Sequence, residues 1–248
     1  MSEPKSSYRS RMYDRYVSLQ APSWSQPRQV GYSTWETSVL RRLDGWLSPN
    51  RASKILDLGC GPGSLLVALR ERGYNHTHGV DISPQAVEIA RSKGCEVDLC
   101  DVGSFLKTSN DKWDIILVMD LVEHFQKDEL LELLNLIERR LNDGGSVLIQ
   151  TPNAVSPWAS HLRYGDLTHE IIFTPSSIAT TLTMSGFGSI SVREVAPVPL
   201  SILSVCRWLG WKGIFFLCAI WNLVETGGLI GGIYTRNMLV RAEKGART

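Results

Sequence analysis

The stretch Ile55 to Gly63 reads ILDLGCGPG: an acid, Asp57, sits inside an apolar run that ends in glycines at alternate positions, Gly59, Gly61 and Gly63, with Cys60 between the first two. Such a run is a buried strand, and the glycines let the following chain turn tightly and approach a ligand at the start of a helix. A dinucleotide pyrophosphate loop requires GxGxxG, whose third glycine would fall at position 64, and that residue is Ser64. Further acids follow in order. Asp81 lies in GVDIS, where a carboxylate accepts hydrogen bonds from both hydroxyls of a ribose, with Ile82 beside it; Asp101, in VDLCDV, can accept from an adenine amino group. Each acid also has a plainer reading as an ordinary strand-end residue. The phrase WDIILVMD then runs into LVEHF and delivers Met119, Glu123 and His124 to the same rim. His124 is a catalytic candidate, or else a packed side chain under the ligand, and Glu123 is a solvated or orienting neighbour.

A second cluster, RYGDLTHEIIFTP, spans Arg163 to Pro175. Arg163, Tyr164, Asp166 and His169 gather around Gly165 directly after a strand, which makes this loop a substrate-site candidate. An imidazole titrates near ~6.5, so His169 can take a proton from a hydroxyl at neutral pH, oriented by Asp166 or Glu170. Arg163, Tyr164 and Glu170 are the acceptor-binding candidates, and the plainer alternative makes His169 a loop anchor. An Asp and His pair can also ligate a metal, but no third ligand has helpful spacing, and no metal is expected.

The elements that must position these residues form a regular alternation. Apolar runs at Ile55–Leu58, His78–Val80, Val97–Leu99, Ile115–Met119 and Val147–Gln150 read as strands. Ser83 with Pro84, and Thr174 with Pro175, open helices that Gly94 and Gly186 close, and Leu130 to Leu141 carries an apolar helical face ended by Asn142–Gly145. Before the first strand, Ser33 and Glu36 have capping-box spacing, and Trp35, Val39, Leu40, Leu43, Trp46 and Leu47 recur at helical intervals. Strands alternating with helices imply an α/β, doubly wound parallel sheet.

Together ILDLGCGPG, GVDIS, the acid after the third strand and WDIILVMDLVEHF resemble the class I S-adenosylmethionine-dependent methyltransferases, over roughly Lys54 to Pro152. GGSVLIQTPN and FTPSSIATTLTMSGF look like the ubiquinone-biosynthesis-like and sugar O-methyltransferase branches. The resemblance implies a Rossmann-like seven-stranded sheet with a C-terminal antiparallel hairpin, here Ser189–Glu194 with Tyr234–Ala242. It implies S-adenosylmethionine as cofactor, with Asp57, Gly59, Cys60, Gly61 and Gly63 at its methionine part. Asp81 and Ile82 would then lie at the ribose, Asp101 and Val102 at the adenine, and Met119 at the strand-four edge. It further implies O-methylation of a hydroxyl on a cell-surface glycan or lipid-linked sugar, or else of a polyprenyl-quinone phenol.

Charge and composition narrow the partners. With 26 basic and 25 acidic residues the chain has no footprint for nucleic acid, and five cysteines without a CxxC pair suit a reducing cytoplasm. Residues 1–32, polar and aperiodic, read as an arm or lid before a single domain over 33–248. Within it, an apolar insertion at 196–232 interrupts the hairpin. Its core, LSILSVCRWLGWKGIFFLCAIWNLV, has an uncharged part of only twelve residues, Gly213 to Val224, against the ~20 a span needs. An in-plane helix or shallow hairpin is expected, contacting a membrane peripherally through 200–224; burial in a homodimer or an added core layer is the alternative. The rivals from other classes are a nicotinamide-dependent oxidoreductase, which Ser64 opposes, and a noncatalytic membrane adaptor on the same fold.

Overall fold

The computed structural model describes residues 34–199, 201–228 and 232–245. The arm expected over 1–32, the capping pair Ser33 and Glu36, and Leu200 and Gly231 of the insertion lie outside the described residues or side chains. Helix α1 (Thr34–Arg42) precedes β1 (Ile55–Leu58), α2 (Ser64–Glu71), β2 (Thr77–Asp81), α3 (Pro84–Ser92), β3 (Val97–Leu99) and α4 (Val102–Thr108). Then come β4 (Trp113–Met119), a 3₁₀ turn (Val122–His124), α5 (Lys127–Arg140), β5 (Leu141–Pro152), α6 (Ala159–Tyr164) and α7 (Pro175–Met184). The chain ends with β6 (Phe187–Glu194), α8 (Ile202–Thr226) and β7 (Asn237–Lys244).

The seven strands form one sheet in the order β3-β2-β1-β4-β5-β7-β6. The first five are parallel, and β7 runs antiparallel between β5 and β6. Order reverses between β1 and β4, so a crevice opens beyond their carboxyl ends, the usual ligand position in such sheets. All four residues of β1 are buried, as a strand covered on both faces must be. On one face Val39, Leu40, Leu43 and Trp46 pack with Leu65 and Leu69 of α2. On the other, Leu130, Leu133, Leu134 and Ile137 of α5 cover Ile116, Val118 and Val147.

Three boundaries depart from the sequence reading. Helix α5 stops at Arg140, and Leu141 already pairs with Trp113 in the sheet, with a register shift before Ile115. The turn residues Asn142–Gly145 are therefore the irregular first part of β5 rather than a helix cap, because Lys244 Nζ on β7 ties down Leu141 O at 2.9 Å. Strand β6 starts two residues before Ser189, and β7 begins at Asn237 rather than Tyr234. The insertion is one continuous helix of 25 residues, not a hairpin. Ser201 and Ser204 cap its start reciprocally and Gly227, at φ 73, ends it. None of its residues is buried, which removes the added core layer.

Leu43 is fully buried between α1 and the sheet. Leu43→Ala should lower unfolding stability by about 2–5 kcal/mol in urea titrations, since the cavity can collapse only in part.

Candidate active site

The glycine loop is held from below by the next strand. Gly59 N and Cys60 N donate to Val80 O at 2.8 and 3.1 Å. Gly59, Gly61 and Gly63 all have positive φ, between 52 and 71°. A Cβ at Gly63 would stand 2.9 Å from Ala90 Cβ, so the loop must lie flat on α3 for α2 to start. Nothing lies within 4 Å of a Cβ built at Gly61, which leaves the crest of the loop open to a ligand. Asp81 joins the two turns: Oδ2 accepts from Gly61 N and Oδ1 from Ser83 N, both at 2.8 Å. Ile82 adds a third backbone bond to this carboxylate, which still keeps an acceptor position for a ligand hydroxyl.

Beside Asp81, the apolar side chains of Ile82 and Leu99 are 48 and 49% exposed, a pair fit to flank a flat ring. Leu99 was not among the sequence candidates; its register opposite Asp81 identifies it. Val102 is buried. Asp101 is exposed and caps α4, accepting from Ser104 N at 2.9 Å, so one oxygen is already committed to the fold. Cys60 and Met119 are buried, each within an apolar cluster.

The deeper part of the edge is crowded with acid. Asp57 is 2% exposed, and burial first, then the charge of Asp81, pushes its pKa up to about 8. Asp120, which the sequence did not single out, has φ 52, an uncommon value for a residue with a side chain. Its Oδ2 accepts from Gln150 Nε2 at 2.7 Å, and burial raises its pKa to about 6. Gln150 Oε1 is buried with no donor among the described residues. These acceptors suit a cationic ligand, so the crevice fits a positively charged adenosyl compound.

Across the crevice, the 3₁₀ turn meets the loop after β5. Glu170 N and Ile171 N donate to Glu123 O, at 2.8 and 3.2 Å, fastening the loop to the turn. Glu123 is 1% exposed, accepts from Thr151 Oγ1 at 3.2 Å, and is held well above the usual carboxyl range by burial and by Asp120. It is not a solvated neighbour. The Asp166 carboxylate is tied to Thr168, whose N and Oγ1 donate to its Oδ1 at 2.8 and 2.6 Å. Burial raises the Asp166 pKa, but these bonds outweigh it and leave the carboxyl below its ordinary value. Thr168 Oγ1 lies 2.8 Å from His124 Nδ1. Since the threonine hydrogen goes to Asp166, Nδ1 carries the proton, which makes Nε2 the lone-pair nitrogen of the neutral ring. Burial, then His169, drops the His124 pKa to about 4, so the ring is neutral.

His169 is oriented by Leu162 O, 2.7 Å from Nδ1, and a carbonyl only accepts. In the neutral ring this leaves Nε2 as the lone-pair nitrogen. The two rings meet edge to face with centroids 4.9 Å apart. Arg163 donates to His169 O and Glu170 O, so its guanidinium staples the loop. Tyr164 is 81% exposed, at the mouth rather than in the cluster. Glu170 is half-buried beside it.

A seven-stranded sheet with this order, a glycine turn after β1 and strand-tip acids is the architecture of S-adenosylmethionine-dependent methyltransferases. Residues 32–192 match the profile of the methyltransferase domain family, and the chain belongs to that family. An S-adenosylmethionine-dependent methyltransferase from Archaeoglobus fulgidus has the same fold, with a TM-score of 0.66 at 21% identity, covering 93% of this chain and 100% of that one. The probable tRNA methyltransferase 9B of Bos taurus is 36% identical over 120 residues, 48% of this chain and 26% of the relative. The ubiquinone biosynthesis O-methyltransferase of Azoarcus sp. is 29% identical over 142 residues, 54% and 59% of the two chains. The chain thus matches less than two thirds of the length of either curated relative.

Asp57 supplies a test of the site's electrostatics. A carboxyl whose folded pKa is raised from 3.8 to about 8 binds its proton more tightly when folded, so its stability cost is absent below 3.8, grows as pH rises, and is complete above about 8. Asp57→Asn should therefore stabilise the ligand-free protein by roughly 2–5 kcal/mol at pH 8. The gain should vanish near pH 4 in denaturant titrations run across that window.

Proposed function

We propose that the protein transfers the methyl group of S-adenosylmethionine to a hydroxyl of a lipid-linked sugar, the precursor of a surface glycan, at the cytoplasmic face of a membrane. One observation carries the lipid side of this reading: α8 is fastened across the same sheet edge that holds the glycine loop and the histidine pair. Trp211 Nε1 and Lys212 Nζ both reach Glu194, at 3.1 and 3.2 Å, and Phe215 packs on Tyr234 with centroids 5.6 Å apart. Ser204, Trp208, Trp211, Phe215, Cys218 and Asn222 form the half-buried inner stripe. At about 100° per residue, Ile202, Leu209, Phe216, Leu217, Ile220 and Val224 point the other way, and all are exposed. Arg207 and Lys212 fall at the margins of this uncharged arc, as in a helix lying in a headgroup boundary. The helix is long and apolar enough to cross a membrane. Its pinned middle favours the in-plane position, because a spanning helix would have to leave the domain.

In this reading Asp57 and the glycine turn face the methionine end of the cofactor. Asp81 takes the ribose, Ile82 and Leu99 hold the adenine, and Asp101 with Val102 closes its edge. The bound cofactor supplies an electrophilic methyl group on sulfur. The chain aligns the acceptor, excludes water and removes the hydroxyl proton at the cluster of Glu123, His124 and His169. Tyr164 is placed to touch the acceptor at the mouth. A lipid-tailed phenol is the second reading, favoured by the Azoarcus relative, whose name gives O-methylation in ubiquinone biosynthesis. Against a tRNA acceptor stands the near balance of 26 basic and 25 acidic residues.

The purified protein should sediment with anionic vesicles, and Phe216→Asp combined with Ile220→Asp should abolish this while adenosylmethionine affinity stays unchanged. Undiminished sedimentation would place the contact elsewhere, and a change from dimer to monomer by light scattering would assign the face to a second copy. His169→Ala should cut turnover about 10²-fold or more and spare cofactor binding measured by calorimetry. Radiolabelled methyl should enter a lipid-extracted sugar fraction; label in the quinone fraction selects the second reading, and label in tRNA refutes both.

A further inference from the structure

We infer that Glu123, His124 and His169 together bind one divalent transition-metal cation of the zinc class, which in turn binds the acceptor hydroxyl. The inference rests on the acceptor-side role given to this cluster above. One ligand atom from each residue lies within 4.8 Å of the others. Around a tetrahedral zinc, ligands about 2.0–2.1 Å from the ion stand about 3.3 Å apart, so side-chain shifts of about an ångström close the set.

The surroundings of the three residues are those of a ligand set. Each histidine has its Nδ1–H committed to an oxygen, Thr168 Oγ1 for His124 and Leu162 O for His169, so in the neutral rings Nε2 is the nitrogen able to ligate a cation. This is the outer-shell pattern that fixes the tautomer of metal-bound imidazoles. The Thr168 hydroxyl is itself anchored on Asp166 at 2.6 Å. Glu123, 1% exposed, accepts a side-chain hydrogen bond from Thr151 and takes part in no ion pair with a basic side chain among the described residues. A cation compensates that burial, where two neutral imidazoles do not. Two histidines and one carboxylate leave a coordination position open, as catalytic sites do, and half-buried His169 marks the side facing the mouth.

The chemistry balances without a redox partner. A metal-bound hydroxyl loses its proton to water at neutral pH, and its oxygen lone pair forms the new oxygen–methyl bond as the carbon–sulfur bond breaks. The electron pair stays on sulfur, giving the thioether. The sequence hid the third ligand because Glu123 and His124 precede His169 by some 45 positions, and the two segments meet only in the fold, through the bonds from Glu170 N and Ile171 N to Glu123 O and through Thr168 on His124 Nδ1.

The test is cobalt titration of the metal-stripped full chain, read by visible absorption, with zinc competition and elemental analysis. One equivalent of Co²⁺ should bind with the intense bands of a low-symmetry site. Glu123→Gln, His124→Ala and His169→Ala should each weaken binding at least 100-fold, and Thr168→Val, which leaves the ligands in place, about 10–100-fold. Adenosylmethionine calorimetry on the same variants reports whether each is folded. Absence of a one-equivalent cobalt spectrum in wild type, or His169→Ala binding cobalt as tightly as wild type, overturns the metal site. Full methyl transfer after chelation overturns it too, while leaving the methyltransferase reading intact. Cobalt bound normally by a protein that ignores adenosylmethionine would instead remove that reading and keep the metal.

Discussion

Burial of carboxyl groups at the carboxyl edge of the sheet is the constraint on which the rest depends. Asp57 and Glu123 are at most 2% exposed, and Asp120, whose charge acts on Glu123, has its own pKa raised. A carboxyl group taken out of water without a partner cation raises the free energy of the folded state by kilocalories, and a core this acidic is tolerated only because the surrounding layers are well packed. Both apolar clusters, one on each face of β1 and β4, are built from fully buried aliphatic side chains. Stability is thus concentrated in the layers and drawn down at the rim. Preorganised acceptors of this kind bind a cation without further reorganisation, which is how an edge can be unfavourable alone and favourable when occupied.

How much of this was legible in the sequence depends on how local each signal is. The glycine turn, Asp81 and the strand order could be read because a strand, its tip acid and the next helix start are contiguous in the chain. Leu99 escaped because a three-residue strand shows too little alternation to tell a buried position from one open to a ligand. Asp120 escaped because its importance comes from a positive φ and from Gln150, thirty positions on.

The histidine loop shows how proximity along the chain misleads. Asp166 and His169 are three residues apart and look like a pair, yet Asp166 also turns back on Thr168 and through it reaches His124. Short acids commonly bond their own backbone two residues on. Arg163 was expected to touch the acceptor; two backbone carbonyls lie nearer, and a guanidinium with five donors satisfies them both. The uncharged part of α8 read from the sequence was only Gly213 to Val224, and Arg207 and Lys212 lie in the half before it. At the margins of the exposed arc these side chains interrupt nothing.

The location of α8 follows from topology alone. Because β7 runs antiparallel between β5 and β6, the chain leaves β6 and enters β7 at the edge where the parallel strands end. Anything inserted in that connection must sit at the same carboxyl edge of the sheet as the crevice. Asn153, fully buried at the tip of β5, donates to Ile233 O and Thr235 O, so the return from the helix is tied to the strand that bears the histidine loop. An insertion between β1 and β2, or between β4 and β5, would meet the opposite edge before re-entering the sheet. Among the connections of this fold, the one between β6 and β7 is therefore the one in which an apolar helix enlarges the surface beside the reaction centre without crossing a face already covered by helices.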